Sequence, residues 1–212
     1  MRTAYIGMGG NLANSADPPE ATLAAAALRL ESLGRLTSRS SLYSTAPVGF
    51  TLQPRFVNAV VALETNLAPR ELLDALLAIE QNFGRDRVAS VPNGPRTLDL
   101  DILLFADLII GEPDLKIPHP RLAERAFVLI PLNEIAPQAH DPVSRKTVSQ
   151  LLYTLRQNGE GDTDAVLPIQ SDGWRAGACM DVIRPAADLR TDPSDGKSHR
   201  KGHGKDHRHS RG

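Results

Sequence analysis

The strongest β pattern in the chain is Phe56-Val57-Asn58-Ala59-Val60-Val61-Ala62-Leu63-Glu64-Thr65, an apolar, β-branched run entered from a loop carrying Pro47, Gly49 and Pro54. A second segment alternates instead. In Gly94–Phe105, Leu98, Leu100, Ile102 and Leu104 fall on one face of a strand, and Asp99, Asp101, Leu103 and Phe105 on the other. Ala4–Met8 predicts a short strand closed by a Gly9-Gly10-Asn11 turn, and Leu36–Thr45 a further strand. Helical spacing puts Leu23, Ala27 and Leu30 on one face of a helix over residues 20–33, with Gly34 as its stop. Pro69 opens a second helix bearing Leu72, Leu73, Leu76, Ile79 and Phe83 and ending at Gly84. Ile109-Ile110 is the expected hairpin return of the Asp99/Asp101 strand. A helical stretch over 121–135, interrupted at Pro131, precedes a last helix over 148–157, for which Thr147 and Gln150 form a capping box.

Beyond Asn158-Gly159 the periodicity fades. Residues 160–193 keep only scattered apolar positions (Val166-Leu167, Trp174, Val182-Ile183), and 194–212 is Gly, His, Lys, Arg and Ser with few exceptions. The expected organisation is one domain over 1–158 and a largely disordered tail over 159–212, basic and His-rich at its end.

Charge sharpens this division. The chain of 212 residues has a net charge of −1, but from Ser194 onward six Lys/Arg face two acids, a net +4 that leaves −5 for the rest. An acidic body with few aromatics argues against a nucleic-acid platform and for a small-molecule partner. No apolar run nears the roughly 18 residues of a membrane span, and Met1–Gly7 has no signal-peptide character. The single Cys179 cannot make an internal disulfide. The expected location is the cytoplasm, with neither a membrane nor a specific nucleic acid as partner.

The candidate chemistry lies at Asp99 and Asp101. Two residues along a strand span roughly 6.5–7 Å, so these carboxylates are neighbours, and Arg85, Arg87 and Arg96 precede them closely. Carboxylates suit a magnesium ion whose shell is completed by phosphate oxygens and water, and guanidiniums match phosphate bidentately. The plainer alternative is a polar strand face and a solvated loop. His119, between Pro118 and Pro120 with Arg121 and Arg125 following, is as consistent with a structural histidine as with a ligand-binding one. Gly196-Lys197-Ser198 resembles the end of a P-loop, but Thr191 stands where its first glycine is needed. The tail histidines His199, His203, His207 and His209 have no fixed scaffold for a metal.

Taken in order, Ala4–Leu12, Gln53–Ala59, Gly84–Arg87, Gly94–Ile102 and Pro118-His119 resemble the 6-hydroxymethyl-7,8-dihydropterin pyrophosphokinase family of folate biosynthesis, across residues 3–157. The resemblance implies an α+β, ferredoxin-like fold, a mostly antiparallel sheet with helices packed on it, and a monomer. It implies transfer of pyrophosphate from ATP to the dihydropterin, with two Mg2+ ions at Asp99 and Asp101. Arg85 and Arg96 are then the catalytic phosphate clamps, and Arg87 lies in a loop that closes over ATP. Glu80, Ile102, His119 and Arg125 match nucleotide positions, and Lys116 supplies a charge nearby. Phe56 and Phe127 sandwich the pterin, while Asn58 and the backbone near Thr45 and Val48 read its edge. The chain departs from the family pattern at Gly10, Phe56, Leu77, Asp114 and Pro120. Two other functions fit the residues alone: another magnesium-dependent nucleotide transferase on a ferredoxin-like sheet, and an RNA-recognition module.

Overall fold

The computed structural model describes residues 1–14, 17–47, 49, 52–85, 94–159, 163–174 and 177–178. Residues 1–180 form one compact unit, and residues 181–212 lie outside the described set. The central sheet contains β1 (Arg2–Gly10), β2 (Arg35–Arg39), β3 (Leu42–Thr45), β4 (Phe56–Thr65), β5 (Asp99–Phe105), β8 (Leu167–Ile169) and β9 (Gly177–Ala178). Its order is β5-β1-β4-β2-β9, with β3 also on β4 and β8 on β3, and every pairing is antiparallel. This is the ferredoxin-like arrangement expected from the sequence.

Among the described residues, four helices cover the sheet: α1 (Pro19–Leu30), α2 (Pro69–Asn82), α3 (Ala126–Ile135) and α4 (Val148–Gln157). Leu23, Ala27 and Leu30 of α1 and Leu72, Leu76 and Ile79 of α2 pack on Ile6, Met8, Val57, Val61 and Leu63. Leu129 and Leu132 of α3 and Leu151 and Leu155 of α4 pack on Val60, Leu103 and Leu104. The sheet thus lies between two apolar layers. Among the described residues no helix is long and apolar enough to cross a membrane.

Several elements match their expected form. β4 spans the predicted run, Gly84 ends the α2 region at φ +79°, and Thr147 Oγ1 accepts from Gln150 N (3.2 Å) while Gln150 Oε1 accepts from Thr147 N (2.9 Å).

Others differ for identifiable reasons. The expected strand over 36–45 is broken in two at Ser40, whose backbone N–H donates to Val60 O and whose hydroxyl accepts from Val60 N. Gly9 and Gly10 do not form a turn; β1 runs through both. Ile110 does not return along β5. It starts β6 (Ile110–Gly111), which pairs with β7 (Lys116–Ile117), whereas β5 pairs with β1. The interruption expected at Pro131 lies earlier, at Arg125, whose extended backbone separates a 3-10 turn (Leu122–Glu124) from α3; Pro131 is inside the helix.

The alternation expected in β5 fails at its end. Tyr5 pairs with Leu104 but Ile6 pairs with Ile102, so one residue is extra in β5 between them. Such a bulge flips the residues beyond it to the opposite face. Leu104 joins Leu103 beneath α3 and α4, and Phe105 joins Ile102 beneath α1 and α2.

The sheet also extends past the expected domain boundary at 158. β8 and β9 both come from the segment expected as tail, and Trp174 within it is buried. Strands of two or three residues carry no readable period, and pairing with β2 and β3 supplies their order.

Gly34 does not terminate α1, which ends at Leu30. A Cβ at Gly34 would stand 2.2 Å from Glu64 O, so glycine is required for the chain to pass β4 on entering β2. Gly34→Ala is expected to cost about 1–3 kcal/mol by overpacking, with little change in turnover of the surviving folded protein. Thermal and urea unfolding would measure it.

Candidate active site

The site lies on the α3/α4 side of the sheet. Asn58, Gly9 and Asp99 are register partners across β4, β1 and β5, and Val60, Gly7 and Asp101 form the next row. Paired residues share a face, so two glycines form the floor between the carboxylates and Asn58. A Cβ at Gly9 would stand 2.8 Å from Asn58 Oδ1, and one at Gly7 3.2 Å from Leu103 Cδ2. Glycine at these positions lets the Asn58 and Leu103 side chains pack closely over β1.

β5 is an edge strand, and its outer polar groups need partners. Three of the residues matched to the nucleotide supply them. Glu80, fully buried on α2, accepts from Leu100 N (2.7 Å); Arg85 Nη1 donates to Leu98 O (2.8 Å); and His119 N donates to the carbonyl of Leu103 at the bulge (2.9 Å). Glu80, Arg85 and His119 are thereby held against the strand that presents the aspartates.

Asp99 sits between two guanidiniums, 2.7 Å from Arg85 Nη1 and 3.0 Å from Arg96 Nε. The Arg96 guanidinium also lies over the Phe56 ring, 4.9 Å from its centroid. Asp101 has a different environment: burial, then the Asp99 charge, push its carboxyl up to about 6, against the opposing pull of Arg125 and Arg96. A cation between the two carboxylates would relieve that repulsion. Among the described residues no cluster of three or more His, Cys, Asp or Glu could hold a metal.

Burial, then Arg125, push His119 down to about 4, and its Nδ1 accepts from Arg121 N (3.1 Å). The imidazole is therefore neutral with its proton on Nε2, a donor available to a phosphate oxygen. Its NMR ring shifts are expected to stay flat from about pH 5.5 to 8, because the titration lies below that window. A midpoint above pH 6 would contradict this environment. Burial, then Arg121, also lower Arg125, whose guanidinium lies 5.5 Å from the Phe127 centroid.

A cavity of about 470 Å³ adjoins these groups, lined by Thr45, Phe56, Asn58, Arg96, Arg125 and Phe127 among others. Asn58 Nδ2 donates to Thr45 Oγ1 (2.7 Å), which orients the amide. Asn58, Arg96, Arg125 and Phe127 also line the smaller cavity over Gly7, Gly9, Asp99 and Asp101. The aromatic cavity and the carboxylate pair are thus adjacent.

Not every expected residue joins them. Val48 and Arg87 lie outside the described residues. The Ile102 side chain packs in the core beneath α1 and α2, so only its backbone is near the site. Lys116 is exposed on β7 and lines neither cavity. Asp114, one of the departures, pairs with Arg70 on the surface (2.8 Å).

The sequence pattern gives no site role to Asn11, Arg121, Ala165 or Val166. Asn11 is buried and ties three segments together: its Oδ1 accepts from Arg96 N (2.8 Å), and its Nδ2 donates to Gln53 Oε1 and Pro54 O (3.0 Å each). An asparagine directly after a strand is the available signal, masked where Gly9-Gly10-Asn11 reads as a turn. Arg121 lines the larger cavity and pairs with Glu124 (3.4 Å). For Ala165 and Val166 the sequence carries no signal.

Comparisons with known proteins agree with this geometry. The family model described as 7,8-dihydro-6-hydroxymethylpterin-pyrophosphokinase (HPPK) matches residues 5–137. A 2-amino-4-hydroxy-6-hydroxymethyldihydropteridine pyrophosphokinase of Pseudomonas aeruginosa is 49% identical over 141 residues, covering 66% of this chain and 85% of the relative. One of the same name from Synechocystis sp. is 40% identical over 187 residues, covering 87% and 90%, a span too long to end before the β8 segment. Among solved structures, Plasmodium falciparum HPPK-DHPS with pteroate superposes with a TM-score of 0.62 at 16% identity, over 80% of this chain and 48% of that one. That likeness shows the fold alone, and this chain spans about half of that protein. On the match of its own residues 5–137 and the identity to the bacterial relatives, the chain belongs to the 7,8-dihydro-6-hydroxymethylpterin-pyrophosphokinase family.

Proposed function

We propose that this protein transfers the pyrophosphoryl group of ATP to the hydroxymethyl oxygen of 6-hydroxymethyl-7,8-dihydropterin, releasing AMP, in folate biosynthesis. The observation that carries the reading is the wall shared by the aromatic cavity and the carboxylate pair. Phe56 and Phe127 offer ring faces to a flat heterocycle, and the Asn58 amide can both donate to and accept from its edge. The pterin hydroxyl oxygen attacks the β-phosphorus, the bond to the α–β bridging oxygen breaks, and AMP leaves with that oxygen while the hydroxyl proton passes to solvent.

The chain's own groups position and neutralise the reactants. Arg85 and Arg96 flank Asp99 and would exchange that carboxylate for phosphate oxygens. Neutral His119 donates from Nε2, and Arg125, between Asp101 and Phe127, adds charge where the two substrates meet. The donor set fits magnesium: Asp99 and Asp101 are paired carboxylates whose mutual repulsion a cation would relieve, and phosphate oxygens and water would complete its shell. Asp99 and Asp101 would hold two such ions, which supply charge neutralisation at the triphosphate and acidify the attacking hydroxyl.

The deciding experiment measures AMP formed from ATP and Mg2+ with and without the dihydropterin. Pterin-dependent AMP is the expected result; its absence, or release of pyrophosphate in its place, would overturn the assignment.

A further inference from the structure

The segment after α4 is held to the domain by three kinds of contact. β8 pairs with β3 in the register Leu42–Ile169, Tyr43–Pro168 and Ser44–Leu167. Arg55 clamps the segment to β3: its Nε donates to Ser44 Oγ (2.8 Å), and its Nη2 donates to Ser44 O (3.1 Å) and to Ala165 O (2.8 Å). Farther on, buried Trp174 donates from Nε1 to Ser40 O (2.7 Å), with the Arg39 guanidinium over its ring at 5.7 Å.

Leu167 and Pro168 are exposed, so Ile169, Val166 and above all Trp174 supply the apolar burial, and these anchors add the order. They do position Ala165 and Val166, which line the same cavity as Phe56, Asn58 and Phe127. Val166 is only half-buried, packed against the α3/α4 layer on one side and open to the cavity on the other. Small side chains here leave the volume free for a bicyclic ring.

We propose that the 163–174 segment is a structural wall of the pterin pocket and that Val166 is a specificity-determining residue, setting the room available to the pterin. The inference rests on the pterin assignment above. It extends the substrate site into the region that sequence composition marks as tail.

The test uses the full chain carrying Val166→Phe. Steady-state kinetics should show a rise of about tenfold or more in the KM for the dihydropterin, with the KM for ATP within about twofold of wild type. Trp174 is the only tryptophan, so its emission reports whether the segment stays docked. Blue-shifted emission with the pterin-specific rise is the expected result. If the phenylalanine dislodges the segment and red-shifts Trp174, the same pterin-specific rise still supports the wall. An unchanged pterin KM, in either emission state, overturns it. Should wild type form no pterin-dependent AMP, the reaction assignment fails, and the wall is judged by titrating 6-hydroxymethylpterin fluorescence. Binding about tenfold weaker to Val166→Phe supports it, and equal affinity overturns it.

Discussion

Asp101→Asn is expected to lower turnover about a thousandfold while making the free protein more stable at pH 7.5. The loss comes from the proposed metal role: several kcal/mol of charge stabilisation at the transition state corresponds to about three powers of ten in rate. The stability gain comes from the same carboxylate's surroundings. Asp101 titrates near 6 in the folded protein because of burial and the neighbouring Asp99 charge, against 3.8 ordinarily. Its contribution to stability is complete below about pH 4 and is lost as pH rises through about 6. Removing the charge should recover roughly 2–3 kcal/mol at neutral pH. Asp99→Ala is expected to be equally inactive but less stable, because it strips Arg85 and Arg96 of their shared partner. Urea unfolding at pH 5 and pH 7.5, beside AMP-release rates, separates the two. Near-wild-type turnover in either variant would remove the metal assignment.

Arg96→Ala is expected to reduce kcat/KM by about two to three powers of ten, the usual cost of losing a group aimed at developing charge. Arg96 meets several parts of the site at once. It contacts Asp99, covers the Phe56 ring, lines both cavities, and is held through its backbone by Asn11. Lysine at this position should recover little, since a point charge replaces neither the planar stacking on Phe56 nor the fork to phosphate. Arg87→Ala is expected to cost less than Arg96→Ala; the reverse order in parallel assays would count against Arg96 as the principal clamp.

The two aspartates show what the fold contributes to this chemistry. Two carboxylates on one face of a strand repel each other, and a soft scaffold would let them separate. Here the Ile102 side of β5 is locked into the α1/α2 core, while Glu80, Arg85 and His119 secure the strand's free edge. The edge contacts fall on residues expected at the nucleotide. Substitutions at Glu80 should therefore alter both stability and turnover.

The elements legible in the sequence were those whose signal is local. The ten residues of β4 read correctly because β propensity accumulates along them, the α4 capping box because both partners lie within one turn, and Gly84 because a positive φ is a property of the residue itself. Asp99, Asp101 and Arg96 were legible for the same reason, being close in sequence and chemically unusual together. The family motifs carried the rest of the expected site as far as Phe56, Asn58, His119, Arg125 and Phe127. Only the tertiary structure decided the contacts between distant segments. The bulge that sends Leu104 to the other face depends on the β1 register, and the need for glycine at position 34 depends on the passing Glu64 carbonyl. Asn11 acquires its role only when the Arg96 and Gln53–Pro54 segments meet it. The strands β8 and β9, and with them Val166 in the pocket wall, have too few residues to show a period; their order comes from the edges they pair with, from the distant Arg55 that holds Ala165 just before β8, and from Ser40, which holds Trp174 between the two strands.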